Sequence, residues 1–314
     1  MNSSVLEISE VSTPKVEQCR AALQLHRVLH VATGENYAGA ERVQDRLALR
    51  LPEFGFEVGF ACLKLERFSA LRQAQDAPLY DIRMRGRTDL RVALPLARLI
   101  RREGYTLVHA HTPRSALVGR LAAMLARVPM VYHSHSQTAT EIDAPLLTRV
   151  NVVMERVSLF GTAGLIAVSE TSERYLRCNG YHRHRIWLVP NGVPCCGPLP
   201  PWQTGRTNWT IGVLALFRRR KGLEVLLAAL ARLRADGVRV RLRAVGRFET
   251  PQYEQEILSL ASHLGLNDAI DWVGFRQDVT AELRQIDMLV LPSVASEGMP
   301  MSILEAMAAG AIAV

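Results

Sequence analysis

Two carboxylates near the end of the chain sit where acids are least expected. Glu297 and Glu305 are separated by seven residues, and Glu305 lies in a run with no other charge. A carboxylate among apolar residues is expensive unless it is paired or hydrogen-bonded. Glu305 is therefore either a satisfied structural acid or part of a site. The flanking pattern favours a site. Residues 288–291 are a short apolar run that reads as a buried strand. Gly298-Met299-Pro300 follows as a hinge with a proline suited to a first helical turn. Residues 301–309 read as a helix, apolar nearly all round and so expected to be buried. A strand, a glycine turn and a helix start at Met301-Ser302 offer backbone N–H groups and a favourable dipole to an anion. The two acids offer acceptors to hydroxyls. A ligand carrying both features is a sugar nucleotide.

Other groups fit the same chemistry. The loop 217–222, Phe-Arg-Arg-Arg-Lys-Gly, follows one element and opens the next. Its cations either line a cleft or form a solvated basic turn. Arginine forks and a lysine point charge both suit a diphosphate. Three His-x-His pairs occur, at 109/111, 133/135 and 182/184. On a strand, residues two apart face one way, so such pairs could ligate a metal. The preferred reading assigns no metal. His111 ends an apolar run before Thr112-Pro113, at a strand edge where it can bond a sugar or phosphate as charge develops. His182 and His184 read as surface residues. Gly39, in the loop 34–41, can bring backbone N–H groups to a phosphate. No Gly-x-Gly-x-x-Gly follows the first strand, which argues against a dinucleotide oxidoreductase.

These residues need a scaffold that brings distant loops together. Apolar runs at 27–33, 57–65, 106–111, 130–136, 164–170 and 186–193 alternate with helical patterns at 40–56, 90–103, 114–128, 146–160 and 171–180. A second alternation follows, with strands at 210–217, 240–246, 270–275, 288–291 and 311–314 and helices at 221–237, 250–265, 280–286 and 301–309. Such alternation predicts parallel sheets covered by helices, with ligands at the carboxyl ends of the strands. The stretch 194–208 holds four prolines and two glycines and reads as a linker between domains at 27–193 and 209–314. Residues 1–26 read as a mobile tail without a signal peptide's apolar core.

The chain has 314 residues and a net charge of +8. The charge is uneven: residues 1–193 carry 25 Lys and Arg against 18 Asp and Glu, and the remainder 13 against 12. Basic residues concentrate at 83–102. A solvated helix face is the plainest explanation, and an anionic membrane surface the next. No aromatic interleaving supports nucleic acid as a partner. Five cysteines without Cys-x-x-Cys spacing fit a reducing cytoplasm. No apolar run reaches membrane-spanning length.

Ser-Glu-Gly-Met-Pro-Met-Ser-Ile-Leu-Glu-Ala-Met-Ala-Ala-Gly, with its Glu-x7-Glu spacing, resembles the hallmark of the retaining glycosyltransferases of family 4. The resemblance extends over roughly 27–314. It implies an α/β fold of two Rossmann-like domains, the type-B glycosyltransferase fold, with acceptor bound by the first and donor by the second. It also implies that Glu297 sits by the donor sugar and Glu305 bonds the nucleotide ribose. Lys221 matches the lysine that holds the donor diphosphate. The family arginine falls at Leu216, so Arg218 is the candidate replacement, ahead of Arg219 and Arg220. His111 matches the histidine facing the donor sugar, and His135 a position on the acceptor side. Ala38-Gly39 stands where the family has a double glycine. Gly274-Phe275-Arg276 falls where the nucleotide base is contacted, although Phe275 reads equally well as a core residue. Gly298, Met299, Met301 and Ser302 fall in the turn and helix start that receive the donor.

The implied activity is a retaining, metal-independent transfer from a nucleotide-diphospho-sugar to a glycan or lipid-linked acceptor, in bacterial surface polysaccharide or glycolipid synthesis. No cofactor is implied, and a cytoplasmic protein, peripheral on the inner face of the membrane, is expected. A non-catalytic remnant that keeps the donor motifs and a sugar-nucleotide epimerase of the same fold are the alternatives. Family members continue past the position of Val314 with a sixth strand and helices, so the second domain is expected to be truncated.

Overall fold

A computed structural model of the chain describes residues 26–86, 89–135, 145–181, 183–197, 207–295 and 297–314. Two wholly parallel sheets carry it. The first contains β1 (His26–Ala32), β2 (Phe56–Cys62), β3 (Leu79–Asp81), β4 (Leu107–Ala110), β5 (Met130–Ser134), β6 (Gly164–Ala167) and β7 (Ile186–Leu188), in the order β3-β2-β1-β4-β5-β6-β7. The second contains β8 (Asn208–Phe217), β9 (Arg239–Phe248), β10 (Ile270–Gly274), β11 (Met288–Leu289) and β12 (Ile312–Ala313), in the order β10-β9-β8-β11-β12.

The connecting helices follow the predicted alternation, except that the five-residue helix Arg67–Leu71 was not predicted. In the first half they are α1 (Gly39–Arg50), α2 (Arg67–Leu71), α3 (Ala93–Arg102), α4 (Pro113–Ala126), α5 (Pro145–Leu159) and α6 (Glu170–Leu176). In the second they are α7 (Leu223–Ala235), α8 (Pro251–His263), α9 (Val279–Leu283) and α10 (Met301–Ala308). Central strands buried on both faces read as continuous apolar runs, which is why β1 and β2 were legible. In the first core, Leu29, Val31 and Val108 pack with Leu96 and Ile100 of α3 and Ala122 of α4. The second core joins Val213, Phe217 and Leu242 to Leu227 and Leu230 of α7 and Ile257 of α8.

Two expectations need correction. Strand β3 was not predicted. It has three residues, partly covered, and its short apolar start at Leu79-Tyr80 runs straight into the charged stretch Asp81-Ile82-Arg83-Met84-Arg85, so no apolar run marks it. Helix α10 is not buried all round. Met301, Glu305, Ala306 and Ala309 face inward, while Met307 is 61% exposed. The helix packs against α9 and β12 and meets α1 through Glu305, which leaves Met307 to solvent. The predicted tail, apart from His26, and residues 198–206 of the predicted linker lie outside the described residues.

Each sheet has a point where the strand order reverses. The chain leaves β1 for β2 on one side and returns to β4 on the other; β8 lies likewise between β9 and β11. Loops on the two sides of such a point diverge and leave a crevice at the carboxyl ends. The two crevices face one another and share one cavity.

Candidate active site

The first sheet supplies a wall of histidines. His30 lies on β1, His109 on β4 and His133 on β5, with His111 and His135 just past the carboxyl ends of β4 and β5. Parallel register places His30 opposite His109 and Val131 opposite His109, so side chains of like parity stack across three strands. His30 Nδ1 lies 2.9 Å from His111 Nε2, and His111 Nδ1 lies 2.9 Å from His135 Nε2. His111 is fixed from behind. Ser115 Oγ accepts from its backbone N–H at 3.1 Å, and Thr112 caps α4 by accepting from the Ser115 N–H. Burial disfavours the imidazolium throughout. It lowers the His30 pKa to about 3 and that of His135 to about 4. His109, His111 and His133 are held well below the usual range, first by burial and then by their histidine neighbours.

The loop from β1 to α1 forms the rim of this wall. Tyr37 donates to Asp45 at 2.6 Å, and Asp45 also accepts from the backbone of Gln73 and Ala74 at 2.6 and 2.9 Å. That buried acid binds α1 to the segment after α2. Gly39 opens α1 and lines the cavity. Glu41, on the same turn, is buried, and burial raises its pKa.

The second sheet supplies a cationic wall. After β8 the chain makes a tight turn ending at Gly222, with φ +65°. A Cβ there would lie 2.0 Å from the Pro292 carbonyl oxygen of the loop after β11, so only glycine permits the approach. Val294 N–H donates to Arg220 O at 3.0 Å and ties the same two loops. Lys221 Nζ then meets Glu297 Oε1 at 2.5 Å, and Ser293 Oγ donates to that oxygen at 2.7 Å. Desolvation lowers the Lys221 pKa more than Glu297 raises it. Desolvation would raise the Glu297 pKa, but Lys221, Ser293 and Arg220 outweigh it and bring it down.

The three arginines of this turn part company. Arg219 pairs with Glu256 at 2.5 Å, lies over the Tyr253 ring and does not reach the cavity. Arg218 lines the cavity and lies 3.6 Å from Glu249. Arg220 also lines it, with Nε and Nη1 buried and without a protein partner. The structure thus makes Arg220 a stronger anion donor than its sequence ranking, which only contact geometry could reveal.

The domains meet around a cavity of about 360 Å³. Besides the cations, Glu297, Met299, Met301 and Ser302 line it, with Phe275 and Arg276 on the β10 side. His111 and His135 line the opposite wall. Gly298 is not on the lining but packs against the first domain, where a Cβ would lie 2.1 Å from the His135 carbonyl oxygen. Asn191 Nδ2 donates to Met299 O at 3.0 Å, and Arg247 bonds Asn36 across the cleft.

Glu305 does not line the cavity. Its carboxylate, 6% exposed, is held by Arg42 and Arg46 of α1. Arg42 Nη1 donates to Oε2 at 3.0 Å and Nη2 to Oε1, and Arg46 donates to Oε1 at 2.5 Å. The partners of this acid therefore come from the other domain. Their signal in the sequence was an i, i+4 pair of arginines on an amphipathic helix, which does not name a target. His30 was missed because it stands alone in an apolar strand.

The sequence model of Glycosyltransferase Family 4 matches residues 37–195, and that of Glycosyl transferases group 1 matches residues 208–314. The chain is 28% identical to EpsF of Bacillus subtilis (strain 168) over 311 residues, covering 90% of this chain and 77% of EpsF. It is 24% identical to the UDP-Gal:alpha-D-GlcNAc-diphosphoundecaprenol alpha-1,3-galactosyltransferase of Escherichia coli over 307 residues, again 90% and 77%. Its fold is similar to that of Anabaena Alr3699/HepE in complex with UDP-glucose, with a TM-score of 0.79, 20% identity and coverage of 91% and 79%.

The histidine wall sets the pH response of the fold. The unfolded chain takes up protons below about pH 6.5 that the native state refuses, since the native pKa values are depressed. Stability is therefore full above pH 6.5 and falls as pH drops towards about 4. Each buried histidine contributes up to about 1.4 kcal/mol per pH unit in that window. Urea unfolding at pH 7.5, 6 and 5 measures this, and equal midpoints at all three would contradict neutral burial.

Proposed function

The chain belongs to glycosyltransferase family 4, and we propose that it is a retaining transferase that takes its sugar from a nucleotide-diphospho-sugar. The observation that carries this reading is the cavity at the two facing switch points, cationic and N–H-rich on one side and histidine-lined on the other. The barrier is departure of the diphosphate from a sugar that becomes cation-like. Lys221, Arg220 and Arg218 stabilise the departing charge together with the N-terminus of α10 at Met301 and Ser302. These side chains take the place of a divalent ion at the diphosphate. Glu297 accepts from donor hydroxyls and holds Lys221 in position. Phe275 and Arg276 meet the base. His111, a neutral imidazole, bonds the sugar opposite by exchanging its contact with His135 for one to the ligand, and His135 lies towards the acceptor.

Uridine diphosphate is the carrier we propose, because HepE was crystallised with UDP-glucose and the Escherichia coli relative is named for UDP-Gal. The acceptor we propose is a growing glycan or a lipid-linked sugar, in line with the diphosphoundecaprenol in that relative's name. The protein would then work at the inner face of a membrane, as a peripheral enzyme. No helix among the described residues is long and apolar enough to cross one. The outer face of α3 and the turn before it supports this placement: Leu90 and Leu94 are exposed there beside Arg91, Arg98, Arg101 and Arg102.

The ribose role of Glu305 requires its carboxylate to be shared. Oε1 already accepts two N–H groups and Oε2 one. A carboxylate has about four acceptor positions in all, so a ribose diol must displace one arginine contact.

Three outcomes follow. Lys221→Ala lowers the rate of sugar transfer about 10²–10³-fold, as loss of one transition-state donor does. Release of nucleotide and the anomer of the product, followed by NMR, test this; inversion or undiminished turnover would refute the reading. Glu305→Gln weakens UDP binding by about 1.5–3 kcal/mol in calorimetry, and does so equally in an Arg42→Met background. A loss that vanishes in that background would make Glu305 a domain contact alone. Sedimentation with anionic vesicles shows binding that fades as salt rises, and Arg98, Arg101 and Arg102 changed to Glu abolish it.

A further inference from the structure

The histidine wall holds more than one hydrogen-bonding residue requires. His133 is 4% exposed, and neither of its ring nitrogens has a partner. A neutral imidazole carries one N–H and one lone pair, so an unpartnered ring nitrogen able to ligate is buried there whichever tautomer is chosen. Such orphans are rare and point to an unseen partner. His109 Nε2 and His30 Nε2 are buried and unpartnered in the same wall.

One nitrogen each from His111, His133 and His135 lies within 4.8 Å of the other two. The rings are packed close, with the His133 and His135 centroids 4.3 Å apart and those of His111 and His135 5.2 Å apart. Around a tetrahedral zinc ion with Zn–N bonds of 2.0–2.1 Å, nitrogens stand about 3.4 Å apart, so rotation of the rings by a small amount closes the set. Burial keeps all three imidazoles unprotonated, the form that ligates. His111 and His135 open onto the cavity, which gives an ion its path and leaves a fourth position facing it.

We propose that His111, His133 and His135 form a binding site for one zinc ion at the histidine wall of the cavity. His111 ligates through Nδ1 and His135 through Nε2, the atoms now 2.9 Å apart. The proton they share moves to the far nitrogen of its own ring, so all three imidazoles stay neutral. His111 then donates from Nε2 to His30 Nδ1, already 2.9 Å away, which fixes its tautomer from the second sphere. The site is separate from the diphosphate cradle around Lys221 and holds whether or not the transfer reaction is as proposed. Occupied, it withdraws His111 from any sugar and so inhibits transfer.

The test uses the whole chain stripped with a chelator. Calorimetric titration with zinc gives one ion per chain, and cobalt(II) in its place gives the intense visible absorption of a four-coordinate site. His133→Leu fills the same space without nitrogens, so it folds and loses a direct ligand. The loss should exceed the roughly 10–100-fold weakening that removal of an outer-sphere partner causes. His135→Leu gives the same loss if His133→Leu fails to fold. His184→Asn, outside the wall, leaves binding unchanged. No zinc bound by the stripped wild-type chain, or equal binding after either leucine substitution, overturns the proposal.

Discussion

The relation between the two domains rests on one buried charge. Glu305 is carried into an apolar environment by α10, and both its partners come from α1 of the other domain. An acid so placed is tolerated only while paired, because separating the domains would leave it uncompensated in a poorly solvated site. The pairing therefore penalises the open form. It also sets α1 against α10; α1 and the loop before it carry the cavity rim at Gly39 and Tyr37, while α10 opens on the opposite side of the cavity at Met301 and Ser302. The packing of Gly298 on the His135 carbonyl and the Asn191–Met299 bond act at the same seam.

Across that seam the cavity is electrostatically lopsided. One wall holds Lys221, Arg218 and Arg220 with Glu297 as counter-charge; the other holds histidines that burial keeps neutral. Arg42 and Arg67 of the first domain also border the cavity, but the cations that follow one another in sequence there are those of the turn after β8.

The fold was legible because parallel strands buried on both faces leave long apolar runs, and helices between them keep a 3.6-residue rhythm. Eleven of the strands lie within apolar runs of the sequence, while β3 is interrupted by Asp81 and the charges that follow it. At the site, the local features were readable: Glu297, Lys221 and His111 each stand where a strand yields to a loop. Features that depend on distant pairing were not. Arg42 and Arg46 looked like ordinary surface charges, and Glu305 had no visible partner. Choosing among Arg218, Arg219 and Arg220 required knowing that Glu256 and Tyr253 claim one of them. The two His-x-His pairs were visible separately, but only sheet order places them side by side with His30.

The contact of Gly222 with the Pro292 carbonyl has a mechanical side. Because these two loops touch backbone to backbone, neither can lengthen, shorten or gain a side chain at that point without a matching change in the other. The two loops are mechanically one unit, tied also by the Val294 N–H to Arg220 O bond. Elsewhere on the cavity border the ties are made by side chains: Arg247, near the end of β9, bonds Asn36, and Gln277, after β10, donates to the Leu71 carbonyl at 3.4 Å, so these places can change one residue at a time.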